Sequence, residues 1–219
     1  MRFLALLLLL VSPLRAVPEW QPVKADRVVF VHGIWQNESR CFGHLRRKLE
    51  SCGVECIAPS LLPSDGRDGI EALAQQLKEA IEFRFPQDER FVLVGFSMGG
   101  LVARHYLQDL GGVERCDGLV TISTPHHGTR MAYLYFGKGA AEMRPGSVFL
   151  SDLHLGQDRL GKLPIISYRT PSDLVILPST SSIWNLAWNI EIPAIMHQTI
   201  TASPALMEDF MKRFEFPRE

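Results

Sequence analysis

The chain has 219 residues, of which 46% are hydrophobic and 21% are charged, which is enough for one sizeable core but not for a second full domain. A formal net charge of −1 and seven scattered histidines exclude the concentrated basic surface of a nucleic-acid-binding protein.

Residues 1–16 predict a secretory signal peptide. The apolar run Phe3–Val11 follows a positive charge, and Pro13 closes it shortly before Ala16, after which cleavage is expected. This run is well short of the roughly 20 residues that span a bilayer, and an uncleaved membrane anchor is the alternative. We therefore expect export to a periplasm or to the cell exterior, with residues 17–219 as a single mature domain.

Five short apolar runs predict β-strands, and the segments between them carry helical patterns. Strands that alternate with helices indicate an α/β fold, with a mostly parallel central sheet flanked by helices. The five predicted strands are Arg27 to Val31, Val54 to Ala58, Phe91 to Val94, Gly118 to Ile122 and Leu163 to Tyr168.

Three helices are predicted around this sheet. Apolar residues between positions 70 and 81 recur at the spacing of one helix face. A second helix begins after Ser97 and ends at Gly111, and a third begins at Ser203, a residue type that favours helix starts. Residues 128–162 interrupt the alternation and predict a cap-like insertion over the carboxyl edge of the sheet.

The segment Gly95-Phe96-Ser97-Met98-Gly99 follows a predicted strand and precedes a predicted helix. This context indicates a nucleophile elbow, in which a serine occupies a tight strand-to-helix turn and small residues two positions away prevent a collision. The amino end of the helix also favours negative charge at the site. Ser97 is therefore the predicted nucleophile.

A serine hydroxyl needs a base, and the base needs an acid that orients it. The chain order after such an elbow is nucleophile, acid and base, and His197 is the one histidine that follows the last predicted strand. Asp173 follows that strand closely, whereas Asp152 and Asp158 lie inside the predicted insertion. We predict His197 as the base and Asp173 as the acid, with a turn-forming role as the alternative for Asp173.

Backbone N–H groups must also stabilise the oxyanion of the transition state. Met98 directly follows the nucleophile, and Gly33 lets the loop after the first strand turn so that the N–H of Ile34 faces the serine. The amides of Ile34 and Met98 form the predicted oxyanion hole. His32 is expected to brace this loop rather than to transfer protons.

Four cysteines, at positions 41, 52, 56 and 116, are compatible with disulfides in an exported protein or with small buried hydrophobic side chains. The sequence leaves their pairing open. No spacing of cysteines and histidines matches a structural zinc site, so we predict no metal and no other cofactor.

Five features in this order resemble the small bacterial lipases and esterases of the α/β-hydrolase superfamily. They are VFVHGI, GFSMGG, STPHHGT, SDLVILP and the late His197. The resemblance covers nearly the whole mature chain. The resemblance implies an α/β-hydrolase fold and the same roles for Ser97, Asp173, His197, Ile34 and Met98. The two histidines of STPHHGT are structural in this interpretation, and a metal role for the pair is the alternative.

The resemblance implies that the chain cleaves carboxylic esters through an acyl-enzyme, with acylglycerol-type lipid esters as the expected substrates. Apolar side chains suit an acyl chain, and we predict Trp35, Met131 and Trp184 as substrate contacts. If their stretch were helical, Trp184 and Trp188 would share one face, which would allow transient contact with a membrane or lipid surface.

Other functions stay open because the fold and its triad do not fix the leaving group or the acceptor. A short-chain carboxylesterase, a thioesterase, an amidase or an acyltransferase would use the same residues. A catalytically silent relative would use the pocket only to bind a lipid or a peptide. The sequence predicts no oligomeric state.

Overall fold

A computed structural model describes residues 20–217 of the chain. The predicted signal peptide, residues 1–16, lies outside the described residues. Within residues 20–217, no helix is both long enough and apolar enough to cross a membrane.

Parallel strands form the centre of the fold. In the described part of the chain they are β1 (Val23–Lys24), β2 (Arg27–Val31), β3 (Glu55–Ile57), β4 (Phe91–Phe96), β5 (Cys116–Ile122), β6 (Ile165–Arg169), β7 (Trp188–Glu191) and β8 (Phe214–Glu215). The order β3-β2-β4-β5-β6-β7 makes one all-parallel sheet, and β1 pairs with β8 separately. The carboxyl ends of the large sheet therefore meet at one edge, where side chains that follow different strands can converge.

Helices cover both faces of this sheet. They are α1 (Glu38–Glu50), α2 (Ile70–Arg84), α3 (Met98–Asp109), α4 (Lys138–Glu142), α5 (Val148–Leu155) and α6 (Pro204–Arg213). Alternate residues of β2 point to opposite faces, so that Val29 and Val31 pack with α2 and α3, while Val28 and Phe30 pack with α1 and α6. Because both faces are covered, the central strands are apolar along most of their length.

The α/β class of the fold and the mostly parallel central sheet flanked by helices are confirmed, and the five predicted strands and three predicted helices are present. β7 is not among the predicted strands, because this half-exposed edge strand lacks a continuous apolar run. Residues 179–182 form a 3-10 turn that leads through a loop into β7. Trp184 and Trp188 therefore do not share a helix face, which was the condition for the predicted contact with a membrane or lipid surface.

The predicted insertion, residues 128–162, contacts two different parts of the molecule. Its first part reaches the carboxyl edge of the sheet, where the ring of Tyr135 contacts the ring of Trp35. Its second part contains α5 and packs beside α3, where Arg104 donates a hydrogen bond to the carbonyl of Leu153. The first part is thus the one placed near the residues that follow the strands.

A buried cation stabilises the loop after β5. Arg104 is fully buried, and its guanidinium carbon lies 4.1 Å from the ring centroid of Trp184. It donates to Nδ1 of His126, whose Nε2 lies 3.1 Å from Thr121 Oγ1. Because arginine can only donate, His126 is the neutral tautomer with its proton on Nε2. Burial, followed by the charge of Arg104, holds the pKa of His126 well below the ordinary 6.5.

We expect His126 to make the folded chain less stable as the pH falls below about 6.5, the ordinary histidine value. The unfolded chain then binds a proton that the folded chain excludes, so this group lowers the free energy of unfolding by up to about 1.4 kcal/mol per pH unit. Urea unfolding between about pH 7.5 and pH 5.5 measures this slope. His126→Gln is expected to show a shallower slope than the wild type.

The matched control for this experiment is His44→Gln, on an exposed part of α1. It is expected to keep the slope of the wild type. An equally steep slope in His126→Gln would contradict the assignment of the acid sensitivity to His126.

All four cysteines are free thiols. Burial raises the pKa of Cys41, Cys56 and Cys116 to about 12, so these thiols stay protonated and pack as small hydrophobic side chains. Among residues 20–217, no group of three or more histidine, cysteine or acidic side chains is arranged to hold a metal ion.

Candidate active site

Ser97 lies on the tight turn between β4 and α3. Its backbone is at φ +54°, a conformation that residues other than glycine rarely adopt. Its N–H donates to the carbonyl of Ile122 at the end of β5 over 2.8 Å, and only 3% of the residue is exposed. Strain of this kind persists where the surroundings enforce it, and it is concentrated at functional sites.

Two glycines allow other backbone segments to approach this turn. A Cβ at Gly99 would lie 2.2 Å from the carbonyl oxygen of Val31, so the helix could not start this close to β2 with any larger residue. A Cβ at Gly33 would lie 3.1 Å from Cβ of Ser97. The loop after β2 therefore runs directly beside the serine.

His197 and Asp173 form a buried hydrogen bond at the same edge of the sheet. Asp173 follows β6, and His197 begins a 3-10 turn after β7. Nδ1 of His197 donates to Oδ2 of Asp173 over 2.7 Å, and the two residues are 4% and 3% exposed. This bond keeps the proton of a neutral imidazole on Nδ1 and leaves the lone pair of Nε2 available to accept another.

The carboxylate of Asp173 is held in its charged form. Oδ1 accepts the N–H groups of Val175 and Ile176 over 2.9 and 2.8 Å. Burial alone would raise the pKa of this carboxyl, but the hydrogen bond and charge of His197, with the two N–H groups, lower it below the ordinary 3.8. Asp173 thus makes both predicted kinds of contact: Oδ1 binds the backbone of the following turn, and Oδ2 binds the imidazole of His197.

Neighbouring side chains position the imidazole of His197. The ring of Phe96, which precedes the serine, lies 4.7 Å from it between centroids. Oγ1 of Thr199 accepts the N–H of Met196 and so fixes the start of the 3-10 turn. The imidazole is therefore held from both the elbow side and its own turn.

The predicted oxyanion donors, Met98 and Ile34, both have N–H groups for which no acceptor is found in the described part of the chain. Met98 is the first residue of α3, where a helix has no internal partner for its N–H. Ile34 lines the same pocket as Ser97. Neither amide is used by an acceptor among residues 20–217, and their role as oxyanion donors stays a prediction.

His32 holds the loop that carries Ile34. Its Nε2 accepts the N–H of Leu61 over 2.9 Å, which places the ring proton on Nδ1, from where it is donated to the carbonyl of Gly33 over 2.9 Å. Both ring nitrogens of His32 are therefore occupied by backbone groups. This is the bracing geometry expected from the sequence.

One small pocket, of about 70 Å³, is lined by four of the predicted site residues. Its wall includes Ser97, His197, Ile34 and the predicted substrate contact Trp35. The further lining residues, none of which was predicted individually as a contact, are Gln36, Phe96, Tyr135, Val175 and Gln198. Two signals could have found them: the apolar run Met131–Phe136, which contains Tyr135, and the closeness in sequence of the other four to predicted site residues.

Two predicted substrate contacts, Trp184 and Met131, do not line this pocket. Trp184 is fully buried, with its ring 4.6 Å from that of His126 and beneath the guanidinium of Arg104. The prediction for Trp184 is wrong because its ring stacks on a buried cation in the core. Met131 is half-buried, and it is Tyr135, four residues later, that reaches the pocket.

A comparison with known families identifies the fold. A family model described as "Alpha/beta hydrolase family" matches residues 28–208. The chain belongs to this family. Ser97, Asp173 and His197 all fall within the matched α/β-hydrolase region, whereas a sequence comparison with curated proteins finds no match.

Solved structures with the same fold include two lipases and a pyrethroid hydrolase. Lipase BlEst2 of Bacillus licheniformis, in its mature form, has a TM-score of 0.70 and 16% identity, covering 90% of this chain and 95% of that one. Lipase B of Aspergillus fumigatus has a TM-score of 0.72 and 15% identity, covering 84% of this chain and 51% of that one. A pyrethroid hydrolase of Sphingobium faniae has a TM-score of 0.62 and 15% identity, covering 86% and 97%. Such identities show the shared α/β-hydrolase fold, and the function is argued from the site.

Proposed function

We propose that this chain is a serine hydrolase that cleaves carboxylic esters through an acyl-enzyme on Ser97. The observation that carries the proposal is the 2.7 Å bond between His197 and Asp173 beside the pocket that His197 shares with Ser97. A hydroxyl, an imidazole and a carboxylate that follow three different strands thus meet at one sheet edge. This is the set of groups that acyl transfer requires.

The proposed reaction has two acyl-transfer steps. Oγ of Ser97 attacks the ester carbonyl carbon while Nε2 of His197 takes the hydroxyl proton, and the amides of Met98 and Ile34 stabilise the oxyanion. The bond to the leaving alcohol then breaks as His197 returns the proton to it. Water, deprotonated by the same imidazole, attacks the acyl carbon, and the proton passes back to Oγ as the acid leaves. Asp173 stabilises the imidazolium in both steps, and no cofactor takes part.

Acylglycerol-type lipid esters are the first substrate class that we propose. Exposed apolar side chains neighbour the site residues in sequence: Leu174 beside the acid, Ile195 and Met196 before the base, and Phe136 after Tyr135. Phe136 is 94% exposed and Ile195 is 84% exposed. Exposed apolar side chains around a pocket favour contact with a lipid surface that presents the ester. The same proposal includes export of the chain to a periplasm or to the cell exterior, which rests on the signal peptide predicted at residues 1–16.

A short-chain carboxylesterase is the second candidate, and the size of the pocket favours it. Its volume of about 70 Å³ is well below the roughly 300 Å³ at which ordinary ligand pockets begin. An acyl group of a few carbons suits this space without movement of the wall.

Hydrolysis of p-nitrophenyl esters of increasing chain length tests the proposal. We expect turnover with kcat/KM of at least about 10⁴ M⁻¹s⁻¹ for the preferred ester, a low value for an enzyme. A preference for long chains supports the lipid esters, and a preference for short chains supports the second candidate. A natively folded protein that turns over none of these esters would contradict the proposal and support a silent lipid-binding relative.

A further inference from the structure

The rings of Trp35 and Tyr135 form a contact that joins two loops across the pocket. Trp35 belongs to the loop after β2, and Tyr135 belongs to the first part of residues 128–162. Their rings meet edge to face, with 4.8 Å between centroids and 85° between planes. Both side chains line the pocket beside Ser97, and 56% of Trp35 is exposed. The contact therefore forms part of the pocket wall where that wall reaches solvent.

Trp35 adopts a backbone conformation that a tryptophan rarely has. Its φ is +55°, and it is the third residue of a turn in which the N–H of Gln36 donates to the carbonyl of Gly33. Glycine is the usual residue at a turn position with positive φ, because a side chain there is strained. The N–H of Trp35 also donates to the carbonyl of Ser64 over 2.8 Å, which holds the turn in place. A bulky ring at this strained position indicates that the ring itself has a role.

Phe96, another apolar side chain of the pocket wall, is less free to move than these two rings. Phe96 is 1% exposed and packs on the imidazole of His197, so its displacement would disturb the proposed base. The rings of Trp35 and Tyr135 instead come from two loops and face solvent, and an edge-to-face pair contributes little beyond the area that it buries. Separation of these two rings is therefore a less costly way to lengthen a pocket of about 70 Å³ than displacement of Phe96.

We propose that the contact between Trp35 and Tyr135 limits the length of the acyl chain that the site accepts. The closed pair encloses short acyl groups, and a longer chain must separate the two rings before its carbonyl reaches Ser97. This inference rests on the proposed function, since it assigns an acyl-length limit to the same site.

Two variants open the contact from opposite sides, Trp35→Ala and Tyr135→Ala. We expect each to raise the ratio of kcat/KM for p-nitrophenyl decanoate over acetate by at least about tenfold, since each methylene that enters an apolar pocket contributes roughly fourfold. The double variant is expected to gain no more than the larger single gain, because either substitution removes the same contact. Tyr133→Ala, at an exposed residue of the same segment that does not line the pocket, is expected to leave the ratio unchanged.

Trp35→Gly separates the role of the ring from the strain of the turn. Glycine relieves the strain, so this variant is expected to be at least as stable as Trp35→Ala and to show the same shift in chain preference. Equal losses of kcat/KM at every chain length, with a lower Tm, would show a purely structural contact and overturn the inference.

Labelling with short- and long-chain alkyl fluorophosphonates gives a second readout that needs no turnover. The labelling rate of the long-chain reagent relative to the short one is expected to rise in the same variants by a similar factor. An active wild type with an unchanged ratio in every variant would overturn this inference alone. A wild type that neither hydrolyses nor becomes labelled would overturn the proposed function, and this inference with it.

Discussion

Ser97→Ala is expected to lower kcat/KM for the preferred p-nitrophenyl ester by about 10⁴-fold or more, to near the limit of detection. The substitution removes the atom that forms the acyl-enzyme while it leaves the amides of Met98 and Ile34 in place. It also keeps the backbone of the turn, so the free energy of unfolding is expected to change by less than about 1 kcal/mol. Initial rates and urea unfolding of the same preparation measure the two effects.

Ser123→Ala is the matched control for the nucleophile. Ser123 follows β5, the neighbour of β4 in the sheet, and it shares with Ser97 a positive φ and full burial of its side chain. Its hydroxyl has no hydrogen-bond partner among residues 20–217, so its removal is expected to leave kcat within about threefold of the wild type. Activity that disappears in Ser123→Ala and survives in Ser97→Ala would contradict the assignment of Ser97.

Asp173→Asn is expected to lower kcat by about 10³- to 10⁴-fold with little change in KM. The carboxylate now accepts the Nδ1 proton of His197, and its lowered pKa keeps it charged at neutral pH. An amide in its place provides no negative charge and can donate to Nδ1, which favours the tautomer whose Nε2 carries the proton and cannot accept one from Ser97. Steady-state kinetics across a range of pH measures the loss.

Asp152→Asn is the control for the acid. Asp152 is exposed on α5, and it is one of the two rival acids, with Asp158, within the predicted insertion. Its replacement is expected to leave kcat unchanged within error. A large loss in Asp152→Asn together with full activity in Asp173→Asn would show that the buried bond to His197 is only structural.

The central strands and the elbow could be predicted from the sequence because both faces of the sheet are covered. Residues such as Val28 to Val31 are apolar on both faces, and this leaves a continuous signal that does not depend on distant parts of the chain. The elbow adds a local signal, since Gly99 lies against the carbonyl of Val31 and no larger residue fits there. Chain order then places Asp173 and His197 at the same edge as Ser97.

The edge strand β7 and the roles of the tryptophans could not be predicted in this way. The sequence Trp-Asn-Ile-Glu carries no run of apolar residues, and its strand conformation depends on pairing with β6 rather than on a local signal. A tryptophan in a loop is equally compatible with a pocket and with a core. Trp184 belongs to the core because its ring covers the buried guanidinium of Arg104. Arg104 lies about 80 positions earlier in the chain, so the sequence around Trp184 does not show this contact.

The pocket wall from residues 128–162 was the hardest part of the site to predict. The apolar run in this segment indicates contact with substrate, but its local helical turn decides which side chain points inward. Met131 lies within the 3-10 turn Arg130–Leu134, and Tyr135 is the first residue beyond it, where the extended backbone carries the ring to Trp35. Such a direction follows from tertiary packing and not from composition.

Mass spectrometry of the fluorophosphonate adduct tests the central claim most directly. Cleavage after Arg90 and Arg104 releases a peptide, residues 91–104, in which Ser97 is the only hydroxyl-bearing residue. We predict one adduct per chain, on this peptide, and its loss in His197→Ala under the same conditions. An adduct on any other peptide, or full labelling of Ser97 without the imidazole of His197, would contradict the account.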